Sequence, residues 1–181
     1  MRPIGGLDAN LNSVIVELDE SLFFQRKYHR GGHAENHWVF GGVERDDQSN
    51  IFLVTLPMVA NQPQRTANIL LPLIQQWCLP GTHIMTDGWP AYGGISNLPQ
   101  GYLHDVVVHQ QHFVDPNNPI IHTQGIEGGV WSVLKQKIRS MHGTSDALFE
   151  SYLAEFIFRC HFPEQNTFGN ILFYIRHYYP V

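Results

Sequence analysis

Three acidic residues stand where they could act together on a metal ion. Asp19 and Asp87 each end a segment that is otherwise mostly apolar or β-branched, VIVELD and THIMTD. A carboxylate at the mouth of a sheet is costly to desolvate without a positive partner, and two such carboxylates repel each other. Mg²⁺ relieves both problems, because it binds one or two protein carboxylates together with phosphate oxygens and water. Glu127 opens a predicted helix after a loop and is the natural third acid, so the sequence predicts a divalent cation held by carboxylates.

The two aspartates depend on a sheet for their positions, and the β-rich runs predict five strands. The second and third strands are joined by the polar turn 46–50, which is typical of an antiparallel hairpin. The fourth follows a predicted crossover helix, the usual connection between parallel strands. We therefore expect Asp19 and Asp87 to contribute to one site at the ends of their strands. The predicted strands are residues 14–19, 38–43, 51–56, 82–87 and 102–108.

Helical spacing of apolar residues appears in four longer segments. The crossover helix starts after Thr66, a predicted N-cap, and continues through ANILLPLIQQWC, although Pro72 should kink or break it. Three further helical segments close the chain. The order β-β-β-α-β-(short α)-β-α-α-α predicts an α/β fold. The closing helices are expected at residues 126–141, 146–160 and 167–179.

Length and composition favour one domain without a basic surface. A chain of 181 residues with 43% hydrophobic content is long enough for one well-buried core and short for two. We expect a short N-terminal extension, residues 1–13, and one domain over residues 14–181, whose helical end covers about residues 145–181. The net charge of −5 argues against a free-standing nucleic-acid-binding module, which is normally basic.

The remaining composition points to an intracellular protein. Cys78 and Cys160 lie far apart and form no C-x-x-C pair, so neither a zinc ribbon nor a disulfide framework is expected. No apolar run approaches the roughly 18 residues of a membrane span, and no membrane association is expected. Histidine is abundant, but His33 and His37 lie among glycines outside any predicted helix, so their spacing does not indicate a metal site.

Six stretches recur together in the order of a known family. They are VIVELDES, RKYHRGG, HWVFGGVER, TDGWPAYGGI, HFVDP and IHTQGIEGGVWSVLKQKIR, and they cover about residues 14–142. As a set they resemble the DDE transposase domain of the Merlin group and its bacterial insertion-sequence relatives of the ISXO type. The resemblance implies a ribonuclease H-like mixed sheet, in which three antiparallel strands are followed by parallel strands, flanked by helices.

The same resemblance implies an activity and a set of partners. Asp19, Asp87 and Glu127 would be the catalytic, metal-binding acids of a polynucleotidyl transferase that nicks DNA and transfers strands. Such enzymes use Mg²⁺ or Mn²⁺, and two ions about 3.5–4 Å apart assist the attacking and leaving oxygens. The implied partners are DNA, as transposon ends and target, and further copies of the chain in a homo-oligomer. The expected location is the nucleus in a eukaryote or the cytoplasm in a bacterium.

Several other residues are candidate DNA contacts, each with a structural alternative. Trp89 could stack on a base or sugar, although core packing would explain it equally well. His122 could contact phosphate or cap its loop. The basic residues of the predicted helix 126–141 could neutralise phosphates or form its solvated face. The basic cluster after the first strand could contact the nucleic-acid backbone or belong to an ordinary surface loop. The basic candidates are Lys135, Lys137, Arg139, Arg26 and Lys27.

Three departures from the family pattern leave a second function open. Only about 13 residues precede the first strand, where family members usually carry a DNA-recognition domain, so that domain is expected to be missing from this chain. Trp131 stands four residues after Glu127 rather than three, and VVVHQQHFV replaces an Asn-His pair. The alternative to a transposase is therefore a transposon-derived domain that is catalytically inactive or domesticated for DNA or protein interaction.

Overall fold

The computed structural model describes residues 1–23, 36–60, 62–107, 122–141, 144–162 and 167–178. Their β-structure comprises one large sheet and two short two-stranded pairs. The strands are β1 (Ile4–Gly5), β2 (Ile15–Phe23), β3 (His37–Glu44), β4 (Ile51–Thr55), β5 (Met58–Val59), β6 (Gln62–Pro63), β7 (Cys78–Leu79), β8 (His83–Asp87) and β9 (Leu103–Val107).

Helices of three kinds connect and follow these strands. A 3₁₀ helix, Pro90–Asn97, follows β8, and a π-helix, Gly125–Trp131, leads directly into an α-helix. None of the described helices is both long and apolar enough to cross a membrane. The α-helices are α1 (Ala67–Trp77), α2 (Ser132–Ser140), α3 (Asp146–His161) and α4 (Thr167–Tyr178).

The large sheet has the order β4-β3-β2-β8-β9. Strand β3 pairs antiparallel with both β2 and β4, whereas β8 runs parallel to β2 and β9 runs parallel to β8. Helix α1 provides the crossover that a parallel connection from the hairpin to β8 requires. The expected mixed sheet, three antiparallel strands followed by parallel ones and flanked by helices, is confirmed.

Strand β2 continues past Asp19, so the expectation that this aspartate ends its strand was wrong. The antiparallel partner β3 pairs with β2 as far as Phe23, which extends the strand. The parallel partner β8 pairs with β2 only over Ile15–Glu17. Asp19 therefore lies within β2 but just beyond its parallel ladder. The length of a strand depends on both neighbours, which a single run of residues does not reveal.

Of the kink or break expected at Pro72, the break does not occur, because α1 forms one helix through this residue. A proline inside a helix leaves one carbonyl, that of the residue four positions earlier, without its N–H partner. Here that residue is Asn68, and both Asn68 and Pro72 are exposed, so water can reach the carbonyl. Leu70 and Ile74 hold the opposite side of the helix in the core.

Alternation along β2 divides its side chains between two buried clusters. Val16 and Leu18 belong to the cluster that contains Leu70 and Ile74 of α1. Phe23 points to the other face, where its ring centroid lies 6.1 Å from that of Trp131. Because successive side chains of a strand point to opposite faces, Asp19 shares the face of Phe23, towards the π-helix.

Candidate active site

Asp19 is partly buried beside the π-helix. The indole Nε1 of Trp131 donates a hydrogen bond to Asp19 Oδ2 at 2.9 Å. The pKa of Asp19 is raised to about 7, chiefly by burial; the indole hydrogen bond opposes the shift, and the charges of Glu20 and Asp87 add to it. A carboxylate in this state favours a positive partner, because burial penalises its charge.

Asp87 closes the parallel strand next to β2. The parallel ladder between β2 and β8 ends with the pair Glu17 and Met85, and Asp19 and Asp87 each follow two residues later. The charge of Asp87 contributes to the raised pKa of Asp19, so the two carboxylates lie within electrostatic reach of each other. The backbone N–H of Trp89 donates to Asp87 Oδ1 at 3.0 Å and orients that carboxylate. The structure thus brings the two predicted aspartates together.

Glu127 lies in the π-helix that packs beside β2. The hydroxyl of Thr123 donates to Glu127 Oε1 at 2.6 Å, and the backbone N–H of Glu127 donates to the Thr123 carbonyl at 3.1 Å. Among the described residues, no three His, Cys, Asp or Glu side chains lie close enough together to hold a metal ion. Asp19 and Asp87 lie on neighbouring parallel strands, but Glu127 does not complete a three-residue group with them in the described residues. Completion of the metal site by Glu127 stays a prediction.

The helix that carries Glu127 differs from the regular α-helix expected over residues 126–141. Its first part, Gly125–Trp131, is a π-helix, in which each hydrogen bond spans five residues rather than four. Gly128 and Gly129 lie inside it. The wider turn places the indole of Trp131 against Asp19. The one-residue change in spacing between Glu127 and Trp131 is thus accommodated within the helix.

Lys135 is a basic residue of this helix whose charge interacts with that of Asp19. Its Nζ is 5.5 Å from the ring centroid of Phe23. Burial lowers the pKa of Lys135, and the charge of Asp19 opposes that shift. Lys137 instead forms an ion pair with Glu155 of α3 at 3.0 Å. Lys135 thus interacts with the charge of Asp19, whereas Lys137 is paired with Glu155.

Trp89 belongs to an aromatic and cationic cluster beside Asp87. The Arg65 guanidinium carbon lies 4.3 Å from the ring centroid of Trp38 and 4.8 Å from that of Trp89. The Trp89 indole N–H donates to the Arg65 carbonyl at 3.1 Å, and the side chain remains 41% exposed. Trp89 is thus a surface residue held in a fixed orientation. Sequence reasoning missed Arg65, because nothing in its spacing signals a position between two tryptophans.

Beneath this cluster, Glu20 extends the acidic character of the site to the α1 side of the sheet. Glu20 is buried and lies 3.4 Å from Arg65. Burial raises its pKa, the charge of Arg65 lowers it, and the charge of Asp87 raises it. The buried phenol of Tyr92 has a pKa well above its ordinary value because of burial and the neighbouring Glu20 charge. Tyr92 is a core residue here.

The other predicted contacts are placed as follows. His122 is partly buried, with its ring Nδ1 3.4 Å from Glu17 Oε1 and its backbone carbonyl bonded by Arg45 at 2.6 Å, so it contacts both members of that ion pair. Arg139 is exposed on α2. Arg26 and Lys27 lie outside the described residues. The ion pair of Glu17 with Arg45 was not predicted, although a glutamate interrupting an apolar strand was a usable signal.

Two solved structures are similar to this chain. Among solved structures, the chain is similar to the HTLV-2 integrase catalytic core domain in complex with magnesium (dimeric form), with a TM-score of 0.45 and 13% identity over 85% of this chain and 87% of that chain. It is also similar to a chain of the simian T-cell lymphotropic virus intasome in complex with PP2A regulatory subunit B56 gamma, with a TM-score of 0.45 and 12% identity over 84% of this chain and 56% of that chain.

Sequence comparison gives the more specific result. No curated protein matches the chain. The family model described as the ISXO2-like transposase domain matches residues 14–161, which is most of the chain and includes Asp19, Asp87 and Glu127. The chain therefore belongs to the family of ISXO2-like transposase domains.

Proposed function

We propose that this domain nicks DNA and transfers DNA strands by metal-dependent phosphoryl transfer, with Asp19, Asp87 and Glu127 as its catalytic acids. The observation that carries the proposal is the pair of aspartates on neighbouring parallel strands, where burial and the charge of Asp87 raise the pKa of Asp19 to about 7. Membership of a transposase family supports the same reaction class.

The donor set of the aspartate pair fits a hard divalent cation. Both groups offer carboxylate oxygens, and their mutual repulsion and the burial of Asp19 are relieved by a nearby positive charge. We propose that Asp19 and Asp87, joined by Glu127, hold Mg²⁺ or Mn²⁺, with two ions in the working site. Bound there, the metal would lower the pKa of an attacking water or 3′-hydroxyl and stabilise the leaving oxygen.

The chain's own residues orient these acids. The Trp131 indole fixes one oxygen of Asp19, the Trp89 backbone N–H fixes one oxygen of Asp87, and the Thr123 hydroxyl holds Glu127. Each bond limits the rotation of a carboxylate and so reduces the entropy lost when it binds a ligand.

DNA is the proposed substrate, and the surroundings of the acids suit it. Trp89 is an exposed aromatic ring beside Asp87, and a nucleobase can stack on such a surface. Lys135 supplies a positive charge near Asp19, and Arg139 follows on the exposed side of α2. We propose that these three residues contact the DNA. Assembly into a homo-oligomer stays a prediction.

The first test is cleavage of short DNA duplexes in Mg²⁺ or Mn²⁺. Asp87→Ala should lower the rate at least about 100-fold, because removing even an outer partner of a metal ligand commonly costs 10–100-fold. Gel analysis of end-labelled duplexes measures nicking and strand transfer. The matched control is Asp46→Asn, an exposed acid in the turn after β3, which should cleave as the wild type does.

Equal cleavage by wild type and Asp87→Ala, or cleavage that persists in EDTA, would remove this site from the mechanism. DNA binding by the wild type without any cleavage in either metal would favour the inactive or domesticated alternative.

A second prediction concerns DNA affinity. The isolated chain should bind DNA weakly and with little sequence preference, because its net charge is −5. Lys135→Ala should reduce the slope of log K against log salt by about one unit. Lys137→Ala should leave the slope unchanged, because Lys137 is already paired with Glu155. Fluorescence anisotropy at several salt concentrations measures both, and nanomolar selective binding or equal effects of the two lysines would contradict the assignment.

A further inference from the structure

Glu17 is a charged residue in a position that normally belongs to an apolar side chain. It is 0% exposed and lies in β2 between the core residues Val16 and Leu18. Charged groups are rarely buried unless they are paired, because desolvation of an isolated charge is costly. Its position on the face of β2 that carries Asp19 places it beneath the start of the π-helix.

Both oxygens of the Glu17 carboxylate have specific partners. Oε1 accepts a hydrogen bond from Arg45 Nε at 2.9 Å, and Oε2 accepts one from the backbone N–H of Ile126 at 3.0 Å. The first N–H groups of a helix have no partner within the helix. Glu17 therefore binds one end of the π-helix directly to β2, at the residue before Glu127.

Arg45 extends this connection to two other segments. Its Nη2 donates to the His122 carbonyl at 2.6 Å and to the sulfur of Met85, in β8, at 2.9 Å. Its backbone N–H donates to the Ile15 carbonyl of β2 at 3.0 Å. One guanidinium thus fixes the segment that enters the π-helix against both strands that carry the aspartates.

Gly125 permits the close approach of helix and carboxylate. A Cβ atom at this position would lie 2.9 Å from Glu17 Oε2, closer than real side chains approach. The backbone at residues 125 and 126 is therefore seated directly on the Glu17 carboxylate. A buried ion pair contributes little net stability compared with apolar side chains, but it can specify one arrangement of the elements that it joins.

We infer that Glu17 and Arg45 are positioning residues of the active site, which hold the π-helix so that Glu127 reaches the metal of Asp19 and Asp87. The inference rests on the proposed function of the three acids. The ion pair acts through the backbone of Ile126 and His122 and does not itself touch the reacting groups. The ion pair sets the distance between the π-helix that carries Glu127 and the strand that carries Asp19.

The test replaces the pair by apolar residues, so that no buried charge is left alone. Glu17→Leu combined with Arg45→Met should fold, since such replacements of buried pairs are often tolerated. In the metal-free protein, amide hydrogen exchange of residues 125–131 should become faster, while β3 and α1 stay protected. Affinity for Mn²⁺, measured by calorimetry without DNA, should fall about 10–100-fold. Glu17→Gln combined with Arg45→Met retains an acceptor for the Ile126 N–H and should recover part of the protection.

Three outcomes separate the inference from the proposed function. Wild-type exchange and wild-type Mn²⁺ affinity in the Leu–Met variant would overturn the inference. If that variant does not fold, the wild-type protein still decides, because rapid exchange of the Ile126 amide would mean that the Glu17 hydrogen bond does not hold the helix. Absence of both Mn²⁺ binding and cleavage in the wild type would defeat the proposed function instead, whatever the exchange data show.

Discussion

Asp19→Asn is expected to melt at a higher temperature than the wild-type protein in EDTA above neutral pH. The folded-state pKa of Asp19 is raised to about 7 from its ordinary value of 3.8, chiefly by burial. A raised pKa means that the stability due to the bound proton is present below about pH 3.8 and is lost as the pH rises through about 7. Asparagine carries no charge at any of these pH values. The variant avoids the penalty that the wild type carries at high pH.

The size of this effect follows from the pKa difference. About three pKa units correspond to at most about 4 kcal/mol, and 1 kcal/mol moves the melting temperature of a domain of this size by roughly 2–4 °C. We expect a rise of several degrees near pH 8 and almost none near pH 4. Differential scanning calorimetry across this range measures it. Glu20 also has a raised pKa, and because its charge repels that of Asp19, Asp19→Asn relieves the penalty at Glu20 in the same direction.

With added Mn²⁺, the wild-type protein should melt at a higher temperature than Asp19→Asn. A cation that binds only the folded state stabilises it by RT ln(1 + [L]/Kd), and the wild type has the additional carboxylate. Asp46→Asn is again the control, and it should respond to Mn²⁺ as the wild type does. If Asp19→Asn melts lower than the wild type in EDTA and keeps the full Mn²⁺ shift, Asp19 is a structural residue and the metal site is wrong.

The second large effect is expected at Gly41, the residue opposite Asp19 in the ladder between β2 and β3. A Cβ atom there would lie 2.7 Å from the Trp131 ring and 2.8 Å from Leu53. Overpacking of this kind typically costs 1–3 kcal/mol. Gly41→Ala should therefore lower the melting temperature by roughly 2–12 °C. Displacing the indole also weakens its bond to Asp19, which should raise the pKa of that carboxyl further, since the bond lowers it.

Gly93 provides the matched control for this substitution. It lies in the 3₁₀ helix, and an added Cβ would meet nothing within 4 Å. Gly93→Ala should be neutral or slightly stabilising, because alanine restricts the unfolded chain. Thermal denaturation and indole fluorescence of both variants decide the matter. Equal stability of the two alanine variants would mean that Gly41 is not needed to seat Trp131.

The sheet and the aspartate pair were predictable because their signals are local. Apolar runs marked β2 and β8, and the crossover helix implied that they run parallel. Two neighbouring parallel strands with acids at corresponding positions near their ends bring those acids together. The element order needed no knowledge of distant contacts.

The errors arose where a contact with residues distant in the sequence determines the local structure. Pairing with β3 carries β2 beyond Asp19, and burial of the opposite side carries α1 through Pro72. The cluster of Arg65 with its two tryptophans joins residues far apart in the chain, which no spacing rule connects. The π-helix likewise depends on tertiary contacts, those of Ile126 with Glu17 and of Trp131 with Asp19.

The π-helix also bears on how this chain should be aligned with its relatives. A hydrogen bond that closes over five residues rather than four encloses one residue more, so an inserted residue can be absorbed without rotating the helix that follows. In a relative with one residue fewer between the glutamate and the tryptophan, an ordinary α-turn can present the same two side chains. In an alignment with such a relative, the gap would be placed inside Gly125–Trp131.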